Sequence, residues 1–284
     1  MKTLVIGGSH AALALAAELR KLSADAEITI VSADPELPYQ RPPLSKAYMS
    51  GKVTFDQIQF RPADWYETNR IALRRGLRVD AVDREKKTAS LSSGETLAYD
   101  HLVFATGARP RRLPAAIGGT LPNVFVMRDL SDAHALMARM LEGARLVVIG
   151  GGYIGLEAAS EAAKKGVTVT VIEAADRILK RVASVETADD VRSLHHAHGV
   201  RIFENASLVK IVERDGQATG VELTDGSVIA ADFVITGIGV MPDTTLAEAC
   251  GLDVSNGIVV DAHLRTSDPS IFAIGDCVSF PFKG

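Results

Sequence analysis

Cysteine is scarce. Only Cys250 and Cys277 occur in 284 residues, far apart and without a C-x-x-C pair. That argues against a disulfide framework and a thiolate metal site, and it predicts a reducing, cytoplasmic setting. A basic excess is lacking too: the formal net charge is −4, so electrostatics predict neither a nucleic-acid partner nor an anionic membrane surface. Long hydrophobic runs are also missing. Residues 4–17 are interrupted by Gly, Ser and His and fall short of the roughly 20 residues of a membrane span. The opening Met-Lys-Thr-Leu-Val-Ile-Gly-Gly reads as a strand and turn, not as a signal peptide. What remains is 47% hydrophobic and 23% charged, the balance of an ordinary soluble protein with room for two domains.

The most informative stretch is Leu146-Val-Val-Ile-Gly-Gly-Gly-Tyr-Ile-Gly-Leu-Glu157. Its four leading apolar residues predict a buried strand. Gly150, Gly152 and Gly155 follow in the G-x-G-x-x-G spacing, and a helical run covers residues 156–165. Residues 167–172 read as a second strand that ends on Glu173, 173 − 150 = 23 residues after the first glycine. That is close to the ~20 expected for a carboxylate that reaches a ribose 2′-hydroxyl. One glycine permits the tight turn, one lets backbone approach a pyrophosphate, and one lets helix and strand pack closely. Glu173 accepts hydrogen bonds from a free 2′-hydroxyl and repels a 2′-phosphate, which predicts NADH over NADPH. Arg177 and Arg181 stand close by and leave a phosphate-binding alternative open.

The chain begins with a second, imperfect copy. Residues 3–6 predict a strand, Gly7-Gly-Ser-His-Ala-Ala12 a turn, and the next residues a helix through Leu22, with another strand at 28–31. Ser9 stands at the second glycine position and Ala12 at the third, where alanine is accepted. The Ser9 hydroxyl is itself a donor suited to a phosphate, and His10 reads as a backbone-approach residue beside it rather than a catalytic base. The likeness extends further. Residues 91–107 align with 223–239 at a constant offset, since 223 − 91, 232 − 100 and 239 − 107 all equal 132. Each copy reads as a short strand, a Gly turn and a longer strand that ends in glycine. A repeat of a whole nucleotide-binding unit implies two dinucleotides.

Between turn and hairpin the copies differ in length: 94 − 7 = 87 residues in the first, 226 − 150 = 76 in the second. The surplus falls around residues 34–46, whose four prolines predict an extended loop that presents Arg41 and Lys46. Residues 109–114 read as a crossover into the second unit and 240–243 as a return. The expected fold is therefore α/β, with two Rossmann-like dinucleotide-binding domains: a discontinuous one over 1–112 and 239–284, and one inserted at 113–238. Residues 270–276 predict a strand that ends in Gly275-Asp276, a carboxylate at the sheet's ligand-binding edge. His195, His196 and His198 read as cations at a helix C-terminus that stops at Gly199, not as a metal site. Cys277 reads as a small buried residue.

Four motifs together resemble the two-dinucleotide flavoprotein disulfide reductase superfamily: Arg41-Pro-Pro-Leu-Ser-Lys46, Ala105-Thr-Gly-Ala-Arg-Pro110, residues 150–157, and residues 266–276. The branch is that of the NADH-dependent ferredoxin, rubredoxin and putidaredoxin reductases of oxygenase systems, with apoptosis-inducing-factor-like proteins. The resemblance runs the length of the chain. It implies FAD in the first unit and NAD in the second, with Lys46 beside the flavin and paired with Glu157 as the catalytic residues. It implies FAD contacts from Arg41, Val79, Thr106, Arg128 and Asp276. The motifs add Gly7, Ser9, His10, Ala11, Asp34, Ala105, Gly107 and Gly275 on the FAD side. On the NAD side they add Gly150, Gly152, Tyr153, Ile154, Gly155, Glu173, Arg181 and Gly237.

The function so implied is that of an FAD-dependent NADH:ferredoxin (rubredoxin) reductase, passing electrons from NADH to a small iron–sulfur protein. Relatives that reduce disulfides carry two cysteines early in the FAD unit; here that region has none. Two alternatives stand beside it: an NADH oxidase or apoptosis-inducing-factor-like flavoprotein with oxygen or quinone as acceptor, and an NAD-binding module without turnover. Three departures separate the chain from the family pattern. Ser9 replaces a glycine. Ser32-Ala33 replaces the acid expected to hold the FAD ribose, with Asp34 the nearest substitute. The family's C-terminal interface domain, and the helix that follows Gly-Asp, are expected to be absent from this chain.

Overall fold

A computed structural model describes residues 1–281. Two compact units emerge. The first comprises Met1–Gln40, Phe55–Arg109 and Met241–Gly284; the second comprises Arg41–Thr54 and Pro110–Val240.

The first unit is built on a five-stranded parallel sheet in the order Ile271–Ala273, His101–Phe104, Lys2–Ile6, Glu27–Ser32, Ile71–Arg75. Its central strands Lys2–Ile6 and His101–Phe104 are buried on both faces over most of their length, whereas the edge strand Ile71–Arg75 buries only Ile71. Alternation divides the core: Leu4 and Ile6 join one apolar cluster while Val5 joins the other. The helix His10–Leu22 turns Ala12, Leu13 and Ala16 inward, and two alanines in that face allow close packing on the sheet.

The second unit repeats the plan with Arg201–Phe203, Thr168–Ile172, Arg145–Ile149, Phe233–Thr236 and Val124–Phe125, again all parallel. Its helix, Tyr153–Lys164, buries Gly155, Leu156, Ala158, Ala159 and Ala162. Each unit also carries a three-stranded antiparallel sheet: Val79–Asp83, Thr88–Leu91 and Thr96–Ala98 in one, Leu208–Arg214, Gln217–Leu223 and Val228–Ala230 in the other.

Two local expectations are corrected. The longer strand of each repeat is in fact two. Thr96–Ala98 ends before His101–Phe104 begins, and Val228–Ala230 before Phe233–Thr236. An aspartate sits at each break. Asp100 Oδ2 accepts the Lys2 amide at 2.6 Å, and Asp232 Oδ2 accepts the Arg145 amide at 2.8 Å. These bonds anchor the start of each parallel sheet, and the Arg145 guanidinium beside Asp232 holds that carboxyl below its ordinary range. Nor is the proline-rich loop extended throughout. Pro42–Ser45 is a 3₁₀ turn, because prolines at its first two positions preset the helical φ. Residues 41–54 belong to the second unit, held there by bonds described below.

Candidate functional site

In the second unit the three motif glycines occupy three different environments. A Cβ on Gly150 (φ +104°) would lie 2.5 Å from the Gly237 carbonyl oxygen, so only glycine fits this turn. One on Gly155 would lie 2.3 Å from the Gly150 oxygen, where helix meets turn. Gly152, the helix N-cap, faces open space. No acid occupies the first helical turn, and Tyr153 and Ile154 remain exposed beside it. Open backbone, a positive helix end and exposed apolar side chains are what a dinucleotide pyrophosphate and its flanking rings require.

Glu173 caps this turn. Its Oε2 accepts the Gly151 amide and its Oε1 the Ala175 amide, each at 2.7 Å. The following loop lies over the turn: the Leu179 amide donates to the Gly151 oxygen at 2.9 Å, and a Cβ on Gly151 would meet Ile178 at 2.6 Å. Arg177 is spent inside the loop, on the carbonyls of Lys180 (3.2 Å) and Ala183 (3.0 Å) among others. Arg181 reaches toward Gly239, within 3.6 Å of where a Cβ there would stand.

The first unit's turn is built alike. A Cβ on Gly7 (φ +112°) would lie 2.2 Å from the Ala105 oxygen. Ser9 is the N-cap of its helix in extended conformation, with its hydroxyl making no cap bond. The His10 ring packs edge-on against Phe60 at 4.5 Å. Ala11 lies beside Gly275, whose own Cβ would approach it to 3.0 Å. Thr106 donates to the Asp243 carbonyl at 2.6 Å, and the Gly107 oxygen accepts the Asp243 amide. Asp276 is exposed in the 3₁₀ turn Gly275–Cys277, while Cys277 is fully buried.

Register isolates one asymmetry. Ile6 pairs with Val31 as Ile149 pairs with Ile172, so Ser32 stands where the second unit has Glu173. Ser32 is buried against Gly8. Asp34, the nearest carboxylate, accepts the Glu36 amide at 3.1 Å and the Tyr39 hydroxyl at 2.9 Å. Val79 is buried in the core, in the strand that pairs with Thr88–Leu91.

The 3₁₀ turn and the second unit's helix supply the charged pair. Lys46 Nζ lies 2.9 Å from Glu157 Oε1, and Ser45 Oγ donates to Glu157 Oε2 at 2.7 Å. Arg41 donates to the Arg128 carbonyl at 2.9 Å, and Tyr48 shares a 2.8 Å hydrogen bond with His134. Local spacing carries no signal for the Ser45 bond or for the carbonyl-binding role of Arg177; both depend on tertiary contact. His195 is buried, and desolvation pushes its pKa down, helped by His198 and His196. His196 and His198 each place Nδ1 on a carbonyl of the helix end, at 3.1 and 2.8 Å. Among the described residues no group of three or more His, Cys, Asp or Glu could hold a metal ion. Nor, among them, is any helix long and apolar enough to cross a membrane.

The sequence profile of the pyridine nucleotide-disulphide oxidoreductases matches residues 1–283. Among curated proteins the chain is similar to rhodocoxin reductase of Rhodococcus erythropolis, 43% identical over 284 residues, covering 100% of this chain and 66% of that protein. It is similar to rubredoxin-NAD(+) reductase of Pseudomonas putida, 40% identical over 277 residues, 98% of this chain and 72% of that one. Among solved structures it resembles a chain of the covalent putidaredoxin reductase–putidaredoxin complex, with a TM-score of 0.93 and 39% identity over 98% of this chain and 68% of that one. The chain spans about two thirds of the length of the first of these relatives.

Proposed function

Since the chain belongs to the pyridine nucleotide-disulphide oxidoreductase family, we propose that it binds FAD in its first unit and NADH in its second. We propose further that it passes electrons from NADH to a small iron–sulfur protein, a ferredoxin or rubredoxin, in the cytoplasm. The observation that carries this reading is the pair of glycine turns on matching parallel sheets, each with a carbonyl that only glycine clears. The names of the relatives, rhodocoxin and rubredoxin reductases, support the acceptor class.

FAD, when bound, supplies a ring that takes a hydride from dihydronicotinamide and releases electrons singly to a carrier. The protein's part is binding, orientation and electrostatics. Gly152 and the adjoining helix end receive a pyrophosphate. Glu173 has lone pairs left after its two backbone bonds, and these accept a ribose 2′-hydroxyl while its charge repels a 2′-phosphate. In the first unit Ser9 offers a hydroxyl to phosphate, and with Ser32 at the strand end Asp34 is the nearest carboxylate for the ribose. Lys46 supplies a fixed positive charge suited to a ring whose reduced form is anionic, and Glu157 restrains its motion.

The test is direct. The purified chain, supplied with FAD, is expected to turn yellow, to be bleached anaerobically by NADH far faster than by NADPH, and then to reduce a ferredoxin. A protein that takes up no FAD, or that is bleached equally by both nucleotides, contradicts the reading.

A further inference from the structure

We infer that Ser45 is a positioning residue for the Lys46–Glu157 pair, an inference that rests on the function proposed above. An exposed lysine–carboxylate pair alone is weak and mobile. Lys46 is half exposed and Glu157 about a quarter exposed, at 50% and 26% of their side-chain areas. A glutamate's terminal torsion is broad, so a single exposed lysine does not fix where its oxygens point. Ser45 changes this. It is buried, at 5% exposure, and donates its hydroxyl proton to Glu157 Oε2 at 2.7 Å, the length of a charge-assisted bond. With Oε2 held by a buried group, Oε1 is directed at Lys46 Nζ, 2.9 Å away.

The local backbone makes this convergence possible. Pro42–Ser45 ends its 3₁₀ turn at Ser45, and Lys46 sits outside both helical and extended conformations (φ −132°, ψ −108°). Two successive side chains therefore reach one carboxylate, which neighbours within a regular helix do not do. Ser45 acts through Glu157 and carries no charge itself. Its loss leaves the ion pair chemically intact but unoriented.

The experiment is a mutant cycle of Ser45→Ala, Glu157→Ala and the double variant, with Ser45→Thr as the conservative change. The first readout needs no cofactor: the rate at which acetic anhydride labels Lys46, followed by mass spectrometry. Ser45→Ala is expected to speed labelling several-fold, Ser45→Thr to restore most of the protection, and Ser45→Ala to add nothing in the Glu157→Ala background. The second readout, on FAD-loaded protein, is the flavin midpoint potential together with the single-turnover rate of reduction by NADH. Ser45→Ala is expected to shift the potential in the same direction as Glu157→Ala and to slow reduction about tenfold, the loss of one hydrogen bond to a charged group. Unchanged labelling in Ser45→Ala, or an effect that adds in full to Glu157→Ala, overturns the inference. A wild-type chain that NADH does not reduce defeats the proposed function, while the labelling cycle still decides the role of Ser45.

Discussion

Gly151 and Glu173 are joined by a 2.7 Å hydrogen bond from the glycine amide to the carboxylate, and the other carboxylate oxygen takes the Ala175 amide. One side chain thus shapes the glycine turn, and in the function proposed above the same carboxylate selects the nucleotide. Glu173→Ala removes two charge-assisted bonds from partly buried amides and is expected to cost about 2–3 kcal/mol. Glu173→Gln keeps one acceptor and is expected to cost about half as much. Both variants lose preference for NADH over NADPH. Denaturant melts and the ratio of the two nucleotides' kcat/KM values check this; a stable Glu173→Ala with unaltered preference refutes it.

The glycines of the second turn make a sharper contrast. Gly155→Ala puts a methyl 2.3 Å from a backbone oxygen that has no freedom to retreat. About 2–3 kcal/mol of overpacking is expected from it. Gly152→Ala meets nothing within 4 Å and sits at φ −84°, where alanine is at ease. Because alanine is a poorer N-cap than glycine, its thermal midpoint is expected to fall only slightly, while in the function proposed above NADH affinity falls more, the methyl intruding where the pyrophosphate would lie. Calorimetry and nucleotide titration of both variants separate the fold's use of glycine from the ligand's.

Arg177 predicts a loop effect without a charge effect. Its guanidinium serves carbonyls of the same loop, including those of Lys180 and Ala183, so it does not stand ready for a 2′-phosphate. Arg177→Met is expected to raise the KM for NADH several-fold and to open residues 176–184 to proteolysis, with no gain in the use of NADPH. Improved NADPH use would show that the arginine had been acting on the nucleotide directly.

His195 sets an acid limit on stability. Burial first, and then the charges of His198 and His196, lower its pKa in the fold. Below the unfolded value of about 6.5 the unfolded chain binds a proton that the folded chain resists. Stability is therefore fully present above that pH and falls as pH drops toward the folded pKa, by at most about 1.4 kcal/mol per pH unit. His195→Leu is expected to flatten this limb. Chemical melts between pH 7 and 5 on both proteins measure the difference in slope.

The residues themselves determined the two glycine turns, the strands on either side, the carboxylate at the end of one strand and the 132-residue echo between the halves. These are short-range patterns, set by backbone sterics and by the burial of parallel strands on both faces, and such causes leave their mark in adjacent positions. Tertiary structure decided what distance in sequence hides. Ser45 and Glu157 lie 112 residues apart, and nothing near either one announces their bond. The grouping of residues 41–54 with the second unit has the same origin, as do the carboxylates of Asp100 and Asp232 at the strand breaks. Ser32, read as a simple departure, becomes the register counterpart of Glu173 only once the strands are paired. Hydrogen bonds between remote segments are chosen by packing in three dimensions, and no local propensity encodes them.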